Sequence, residues 1–371
     1  MRLGDIATFV NGYAFKPDEY SDEGKPIIRI QDLTGNAYQT NKFSGRLDKK
    51  YLVSTGDILI SWSASIDAYE WPGEEAWLNQ HIFKVVFDKV EVDKYFFLYQ
   101  IKYILRNAMQ LAHGATMRHL TKRVFNGFEF SLPPIDCQMQ QAKVLHLVDR
   151  LISEQRRRLY LAEKLVKSRF VEMFGTADSS VFDIAEIEHL CAAIVDCPHE
   201  TPKYQGNLMH PAIRTSELPG TSINWETMKY VSQEEYKKRI RRLKPMSGDI
   251  VYAREGIYGT AAILPEGYEF CLGQRTMLFR PRADICTAEY LLHALTSDGV
   301  KRQADALNFG STVPHVNVRD AKRFRVPVPP IELQQKFAAF VAQVDKSEFA
   351  VRRSIEQLEI LKAKLMQEYF G

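Results

Sequence analysis

One segment of the chain occurs twice, and this duplication constrains the fold more than any other feature of the sequence. Residues 132–136 read Leu-Pro-Pro-Ile-Asp and open a helical pattern that stops at Phe174-Gly175. Residues 328–332 read Val-Pro-Pro-Ile-Glu and open a second pattern, which stops at Phe370-Gly371. The copies are offset by 196 residues at both ends, so they align without a gap. The repeat predicts a pseudo-twofold molecule, for which duplex DNA is the leading candidate ligand.

The repeated segments predict two long helices. The Pro-Pro pairs cannot extend a helix backward, so the helices start near Asp136 and Glu332. A glycine follows each copy at the position where a left-handed residue ends a helix. Apolar residues recur in steps of three and four, with polar breaks at Gln155, Glu348 and Lys362. This heptad pattern favours an antiparallel intramolecular coiled coil, roughly 57 Å long, with apolar residues opposite the breaks. The alternative is that each helix packs on a separate core.

The remaining sequence predicts the same mixed plan twice. Strand-like stretches and a helix from about Asp93 to Leu111 occupy the first half, and similar strands and a helix over 287–307 follow in the second. We therefore predict an α+β fold with a pseudo-twofold internal repeat. Its parts are two mixed α/β domains, 1–131 and 176–327 (which begins with a short polar linker), and two helical spacers, 132–175 and 328–371.

Composition limits the class of protein. The length suits two or three domains, and no run of 18 apolar residues or signal-peptide core is present, so we expect no membrane contact. Five cysteines without a Cys-x-x-Cys motif indicate free thiols in a reducing cytoplasm. The net charge of +3 is small for a protein that coats DNA alone, but it fits one that shares DNA binding with partner subunits.

Signatures of catalysis are missing from the sequence. There is no phosphate loop, no dinucleotide-binding glycine motif and no His-Glu-x-x-His motif. Cys197-Pro198-His199 supplies half of a zinc site at most. A nuclease-like string with Asp18 and Glu23 has no counterpart in the second half, so we interpret it as a solvated loop. The sequence therefore predicts no catalytic residue, no metal and no resident cofactor.

Loops that recur in both halves are candidates for framework or phosphate contacts, because both halves would face the same DNA backbone. The Gly-x-Thr loops at 114–116 and 310–312 either contact a phosphate or form tight turns. The recurrent glutamines either pair with adenine or serve as structural hydrogen-bonding groups. The candidates of this kind are Arg29, Gln80, Gly114, Thr116, Arg118, Lys122, Arg214, Gln274, Gly310, Thr312, His315 and Arg319, and Arg275, next to Gln274, is a further candidate for contacting DNA.

Positions that differ between the halves are candidates for reading bases, because the two halves of a target can differ. Trp62 aligns with Arg254, and a buried tryptophan would not exchange easily for arginine, so we expect both at exposed strand ends. Arg254 is the leading candidate for contacting a guanine edge. Packing is the alternative for Trp62 and Tyr13, and a solvated surface is the alternative for the basic run 237–244. The candidates of this kind are Tyr13, Gln31, Ser61, Trp62, Ser63, Ser216, Arg254, Glu255 and Tyr258.

Over essentially all 371 residues the chain resembles the specificity subunits of type I restriction–modification systems. The resemblance rests on the Pro-Pro-Ile-x-x-Gln helix starts at 133–138 and 329–334, with the Gly-Asp-Ile turns and Gly-x-Thr loops in the same order twice. It implies that residues 1–131 read one half of a two-part double-stranded DNA target and residues 183–327 the other. The antiparallel helices would then set the number of unread bases between the halves.

The resemblance also implies that partner subunits supply the chemistry. Two modification subunits would bind the chain and transfer a methyl group from S-adenosylmethionine to adenine. Restriction subunits would add cleavage that depends on ATP and Mg²⁺. Two alternatives remain at this point. One is a stand-alone DNA-binding regulator or scaffold without a methyltransferase partner, and the other is an enzyme that acts alone.

Overall fold

Two compact units make up the part of the chain that the structure, a computed structural model, describes. The described residues are 1–36, 39–111, 121–206, 209–256, 258–307 and 315–371. Unit 1 comprises Met1–Arg156 and Arg353–Gly371, and unit 2 comprises Arg157–Arg352. The division falls inside both long helices, so each unit contains one α/β domain and one part of each helix.

The α/β domain of unit 1 contains two sheets. Its strands are β1 Thr8–Asn11, β2 Lys25–Ile28, β3 Lys42–Phe43, β4 Leu52–Val53, β5 Ile58–Ser61, β6 Asp67–Glu70, β7 Ala76–Leu78 and β8 Ile82–Val86. Its helices are α1 Leu3–Ile6, α2 Ile30–Thr34, α3 Lys94–Leu111 and α4 Lys122–Asn126. One sheet has the antiparallel order β1-β8-β5-β6, and the other has the order β3-β2-β7-β4 with β2 parallel to β7.

The long helix α5 Ile135–Phe174 follows, and the domain of unit 2 then repeats the plan of the first. Its strands are β9 Ile184–Glu186, β10 Cys191–Asp196, β11 Tyr204–Gln205, β12 His210–Ile213, β13 Lys229–Val231, β14 Ile250–Ala253, β15 Ala261–Ile263, β16 Cys271–Leu272, β17 Thr276–Pro281 and β18 Arg325–Pro327. Its helices are α6 Ile187–Leu190, α7 Gln233–Arg239, α8 Ala288–Leu295, α9 Asp298–Leu307 and α10 Val318–Lys322, and the second long helix is α11 Ile331–Phe370.

The sheet orders confirm the internal repeat. The order β10-β17-β14-β15 matches β1-β8-β5-β6, and β11-β13-β12-β16 contains one parallel pair, β12 with β16, as the second sheet of unit 1 does. A phenylalanine cluster fills the first core, where Phe9 meets Phe125 edge-on at 4.8 Å. In the second core Phe174 meets Tyr290 in the same way at 5.0 Å.

One predicted helix is divided in two. The single helix expected over 287–307 breaks between α8 and α9, because side chains there compete for the backbone. The hydroxyl of Thr296 donates to the carbonyl of Leu292 at 2.9 Å, and the hydroxyl of Ser297 accepts the N–H of Val300 at 3.2 Å. Ser297 thus caps a new helix, two residues after the first one ends at Leu295.

The two long helices begin and end where the repeat predicts. Each has 40 residues, and Gly175 adopts the left-handed conformation that ends α5, with φ of 73°. The helices pair antiparallel within each unit. In unit 1 the Lys362 ammonium lies 2.6 Å from the Asp149 carboxylate, and in unit 2 Phe170 packs on Phe337 at 5.4 Å. Lys362 therefore faces an acid, and the expectation of an apolar residue opposite this break was wrong.

A buried glutamine explains the Pro-Pro-Ile-x-x-Gln repeat. In unit 1 the Oε1 atom of Gln138 accepts the N–H of Asp93 at 2.9 Å, just before α3. In unit 2 the Oε1 atom of Gln334 accepts the N–H of Thr287 at 2.9 Å, just before α8. Each amide also donates to the carbonyl of the first proline of its own pair. Each glutamine thus joins the start of a long helix to the start of its domain helix.

The structure bears on two expectations that come from composition, namely the state of the cysteines and the absence of a membrane span. All five cysteines, namely Cys137, Cys191, Cys197, Cys271 and Cys286, are free thiols, as predicted. Across the described ranges, no helix has the length and apolar character that crossing a membrane requires.

Candidate nucleic-acid interface

A cluster of three side chains lies at one edge of the β1-β8-β5-β6 sheet in unit 1. Trp62 follows β5 directly, and its backbone N–H donates to the carbonyl of His81, just before β8, at 3.3 Å. The indole Nε1 donates to Oδ1 of Asn11, the last residue of β1, at 3.2 Å. The indole also lies 5.2 Å from the His81 ring and stacks on Phe83. Asn11, Trp62 and His81 form the first strand-end cluster.

A charged cluster occupies the corresponding edge of the β10-β17-β14-β15 sheet in unit 2. The backbone N–H of Arg254, which follows β14, donates to the carbonyl of Arg275, just before β17, at 3.0 Å. The Arg254 Nε lies 3.3 Å from Oδ1 of Asp196, the last residue of β10. Glu255 contacts both arginines, with Oε1 3.3 Å from Nη2 of Arg254 and Oε2 3.1 Å from Nε of Arg275. These four residues form the second strand-end cluster.

The register of the strands makes the two clusters equivalent. Asn11 lies opposite the second residue of β8, and Asp196 lies opposite the second residue of β17. The same backbone hydrogen bond joins Trp62 to His81 and Arg254 to Arg275. The alignment of Trp62 with Arg254 is therefore confirmed. One framework presents amide, indole and imidazole groups in the first domain and charged groups in the second.

The expected exposure of this position was wrong. The Arg254 side chain is only 12% exposed, because Asp196 and Glu255 hold its guanidinium inside the cluster. Trp62 is half-buried, since its ring packs on Phe83. In the second cluster the exposed arginine is instead Arg275, whose side chain is 64% exposed.

Two serine candidates are buried, and we correct both assignments. Ser61 is completely inaccessible, and its hydroxyl donates to the carbonyl of Ser65 and accepts the N–H of Asp67. Ser63 is only 7% exposed. Ser61 shapes the turn after β5 because the close-packed β5–β6 hairpin needs an internal hydrogen-bonding group there. DNA could reach neither side chain without rearrangement of this turn.

A second pair of matched strand ends carries arginines at the start of a helical turn. The backbone N–H of Arg29 donates to Asp32 at 2.7 Å, and that of Arg214 donates to Glu217 at 2.9 Å. The Arg214 guanidinium also binds the fully buried Glu217 carboxylate, which gives Arg214 a structural role. The equivalent exposed side chains beside these caps are the remaining candidates, Gln31 and Ser216.

Several other candidates have partners inside their own domain. The Tyr13 hydroxyl donates to Glu19 at 3.0 Å, and its ring packs edge-on against Phe15. The Tyr258 hydroxyl donates to Asp305. These contacts favour the packing alternative for Tyr13 and anchor the loop that carries Tyr258.

The recurrent glutamines and basic residues differ in their surroundings. The Gln274 amide donates to the Thr201 hydroxyl at 2.5 Å, which favours the structural alternative, and Gln80 is half-buried. The Lys122 ammonium donates to the carbonyl of Phe9 at 2.8 Å, whereas His315 and Arg319 are exposed. Five further candidates lie outside the described residues, namely Gly114, Thr116, Arg118, Gly310 and Thr312.

The basic run of residues 237–244 lies in and after α7 and is partly neutralised. Arg239 is buried, and its guanidinium donates to the carbonyl of Leu272 at 2.8 Å. Lys244 pairs with Glu269 at 3.0 Å, and Lys238 pairs with Glu200. The run is therefore a mixture of a buried framework arginine and surface ion pairs.

Three members of the clusters, namely Asn11, His81 and Asp196, are not among the residues that the sequence predicts for the site. Asn11 belongs to an aromatic and glycine-rich stretch, and Asp196 precedes the Cys-Pro-His string that we considered for zinc. Only the pairing of β1 with β8 and of β10 with β17 brings them to the same edge. In the described part of the chain, no three His, Cys, Asp or Glu side chains are grouped so that they could hold a metal ion.

Two domains of one plan, each with a different cluster at the same sheet edge, define a protein built for recognition in two parts. The family model for the type I restriction modification DNA specificity domain matches this chain twice, over residues 1–160 and 179–359. The chain belongs to this family.

Individual relatives agree with this assignment over nearly the whole chain. The chain is 24% identical to the type I restriction enzyme MjaVIII specificity subunit of Methanocaldococcus jannaschii, over 99% of this chain and 90% of the relative. It is 22% identical to the type I restriction enzyme EcoBI specificity subunit of Escherichia coli, over 96% of this chain and 80% of the relative.

Two solved structures share the fold. One is the S subunit of a type I restriction–modification system from M. genitalium, with a TM-score of 0.53, 15% identity and coverage of 100% of this chain and 95% of that chain. The other comes from work on complex assembly and conformational transition of the type I R-M system. Its TM-score is 0.59 at 15% identity, with coverage of 100% of this chain and 96% of that chain.

Proposed function

We propose that this chain is the DNA sequence-specificity subunit of a type I restriction–modification complex and that each strand-end cluster reads one half of a two-part target. The equivalence of the two clusters carries the proposal. A single framework holds Asn11 and Trp62 in one domain and Asp196 and Arg254 in the other. The two domains have equivalent protein backbones and different side chains at the strand ends. This suits two half-sites whose DNA backbone has the same geometry and whose base sequences differ.

The long helices set the gap between the half-sites in this proposal. A 40-residue helix is about 60 Å long, whereas one turn of DNA is about 34 Å. Within unit 1 the pair is held by two ion pairs, from Lys362 to Asp149 at 2.6 Å and from Arg156 to Glu359 at 2.8 Å. A stiff spacer of this kind would fix the number of unread base pairs.

The outer faces of the same helices are the proposed docking sites for two modification subunits. Large apolar side chains are exposed there, including Leu361 in unit 1 and Leu165 in unit 2, which are 44% and 52% exposed. These two residues stand at equivalent places in the repeat. Exposed apolar groups of this size are common at protein interfaces, and a matched pair suits two copies of one partner.

The chemistry belongs to the partners in this proposal. The modification subunits would bind S-adenosylmethionine and methylate adenine. Restriction subunits, where they join, would use ATP and Mg²⁺. The chain itself would bind DNA, hold the partners and supply no catalytic group. The free thiols suit a reducing cytoplasm.

Co-expression with a type I methylase subunit from the same genome tests the proposal. Methylated adenines are mapped in the host genome by sequencing. We expect methylation at a motif of two short half-sites with a fixed gap. A regulator without a partner would not co-purify with the methylase, and methylation without a two-part motif would contradict the proposal.

A further inference from the structure

We infer that Arg275 and Glu255 read a guanine–cytosine pair in the half-site of the second domain, with Arg254 and Asp196 as positioning residues. This inference rests on the proposed function and adds the identity of a base pair and the residues that read it. Arg275 would donate to guanine, and Glu255 would accept from the amino group of cytosine. These are the major-groove contacts that the two side chains make most readily.

The backbone of the second cluster turns Arg275 outward. Arg275 has φ of 61°, a left-handed conformation that is unfavourable for a residue with a Cβ atom. Its carbonyl is fixed by the N–H of Arg254 at 3.0 Å, which helps to hold the unfavourable conformation. Backbone strain of this kind often accompanies function. The result is an arginine that is 64% exposed beside one that is 12% exposed.

A chain of charges orients the exposed guanidinium. Asp196 contacts Arg254 at 3.3 Å, and Glu255 bridges to Arg275 through its Oε2 atom at 3.1 Å from Nε. Glu255 therefore lies against Nε of a side chain that is 64% exposed. A guanidinium fixed along one edge is prepared for a bidentate contact with O6 and N7 of guanine. The Glu255 carboxylate, 24% exposed, keeps lone pairs that can accept a cytosine N–H.

The charges of the cluster favour a base over a phosphate. Two arginines stand with two carboxylates, so the formal charges within the cluster cancel. A carboxylate beside an arginine would repel a phosphate but would accept a hydrogen bond from cytosine. The equivalent first cluster has an amide, an indole and an imidazole, and no such pair. We therefore expect that a G·C pair is recognised by an arginine together with a carboxylate in the half-site of the second domain and not in that of the first.

The test uses Arg275→Lys in the complete complex with the methylase subunit. Lysine keeps the charge and loses the planar fork, so phosphate binding is retained and the bidentate guanine contact is lost. Arg282→Lys is the matched control. Arg282 follows the opposite end of β17 and pairs with Asp284 at 3.1 Å, much as Arg275 pairs with Glu255. Methylated motifs of the wild-type and variant complexes are mapped in the same host genome.

We expect Arg275→Lys to lower the preference for G at one position of one half-site by roughly 10- to 100-fold. The other half-site, the gap and the Arg282→Lys motif should stay unchanged. A wild-type motif in the Arg275→Lys complex, or a uniformly lower methylation rate with that motif, would overturn the inference and leave the proposed function intact. Relaxation at an A·T position would also overturn it. A wild-type complex without any two-part motif would overturn both.

Discussion

At the scale of single residues, equivalent backbone positions in the two domains carry side chains of different charge and hydrogen-bonding capacity. Asn11 accepts a hydrogen bond from an indole, while Asp196, in the same register, faces a guanidinium. The backbone next to these residues tolerates fewer substitutions. Gly12, next to Asn11, would place any Cβ atom 2.0 Å from the carbonyl oxygen of Asn79, so only glycine fits there. A substitution at Gly12 would therefore disturb the backbone, whereas Asn11 and Asp196 can differ without such a clash.

Replacing Gln334 with methionine should destabilise unit 2. Methionine fills a similar volume, but the N–H of Thr287 and the carbonyls of Ile285 and Pro329 lose their partners in a buried place. We expect a loss of about 2–4 kcal/mol in the free energy of unfolding, measured by urea denaturation. The control is Gln335→Met on the exposed side of the same helix. Equal stabilities of the two variants would contradict the role given to Gln334.

Acid should destabilise unit 2 through His293. Burial, with the nearby charge of Lys167, lowers the pKa of this imidazole from 6.5 to about 4. The unfolded chain takes up a proton below about pH 6.5 and the folded chain only near pH 4, so stability is full above pH 6.5 and falls towards pH 4. Because the ring keeps some contact with water, we expect a loss of about 1–2 kcal/mol at pH 5.

His293→Gln should remove this part of the difference in unfolding free energy between pH 7 and pH 5. The exposed His189 supplies the control, His189→Gln, which should retain the wild-type difference. An unchanged pH dependence in His293→Gln would show that the imidazole is not held neutral by its surroundings.

At the scale of elements, the long helices could be predicted and the strand-end clusters could not. A Pro-Pro pair, a heptad pattern and a final glycine determine where a helix starts, which face it buries and where it ends. Each does so within a few residues of its own position, so these features can be predicted from the local sequence. The environment of Arg254 depends on Asp196, which is distant in sequence and reaches it only through the pairing of β10 and β14 with β17. The repeat in the sequence points to Trp62 and Arg254 but not to Asn11, His81 or Asp196, because register across strands leaves no local signal.

The equivalent leucines of the long helices should each dock one modification subunit. We expect Leu165→Glu or Leu361→Glu to yield complexes with one methylase subunit instead of two, because a buried unpaired carboxylate strongly weakens an interface. The double variant should bind none. Mass measurement of purified complexes reads the stoichiometry. Ala363→Glu, at an exposed position on the other side of α11 from Leu361, is the control and should keep two. Two subunits on the double variant would exclude these faces as docking sites.

At the scale of the whole molecule, the duplication gives one chain two reading surfaces and two equivalent helices. In the proposed function neither cluster alone would specify a long target, since each would present only a few groups to DNA. Two half-sites at a fixed separation achieve a specificity that each lacks alone. We therefore propose that the helices determine this separation and that the domains determine the bases.

The most direct measurement is the gap in the methylated motif after one heptad has been inserted into each long helix. Seven residues lengthen a helix by about 10 Å, which corresponds to about three base pairs of DNA. Insertions near Arg156 and Arg353 leave both domains and both helix starts unchanged. We expect a motif with the same two half-sites and a gap about three base pairs longer. An active complex whose gap is unchanged would show that the helices do not determine the separation.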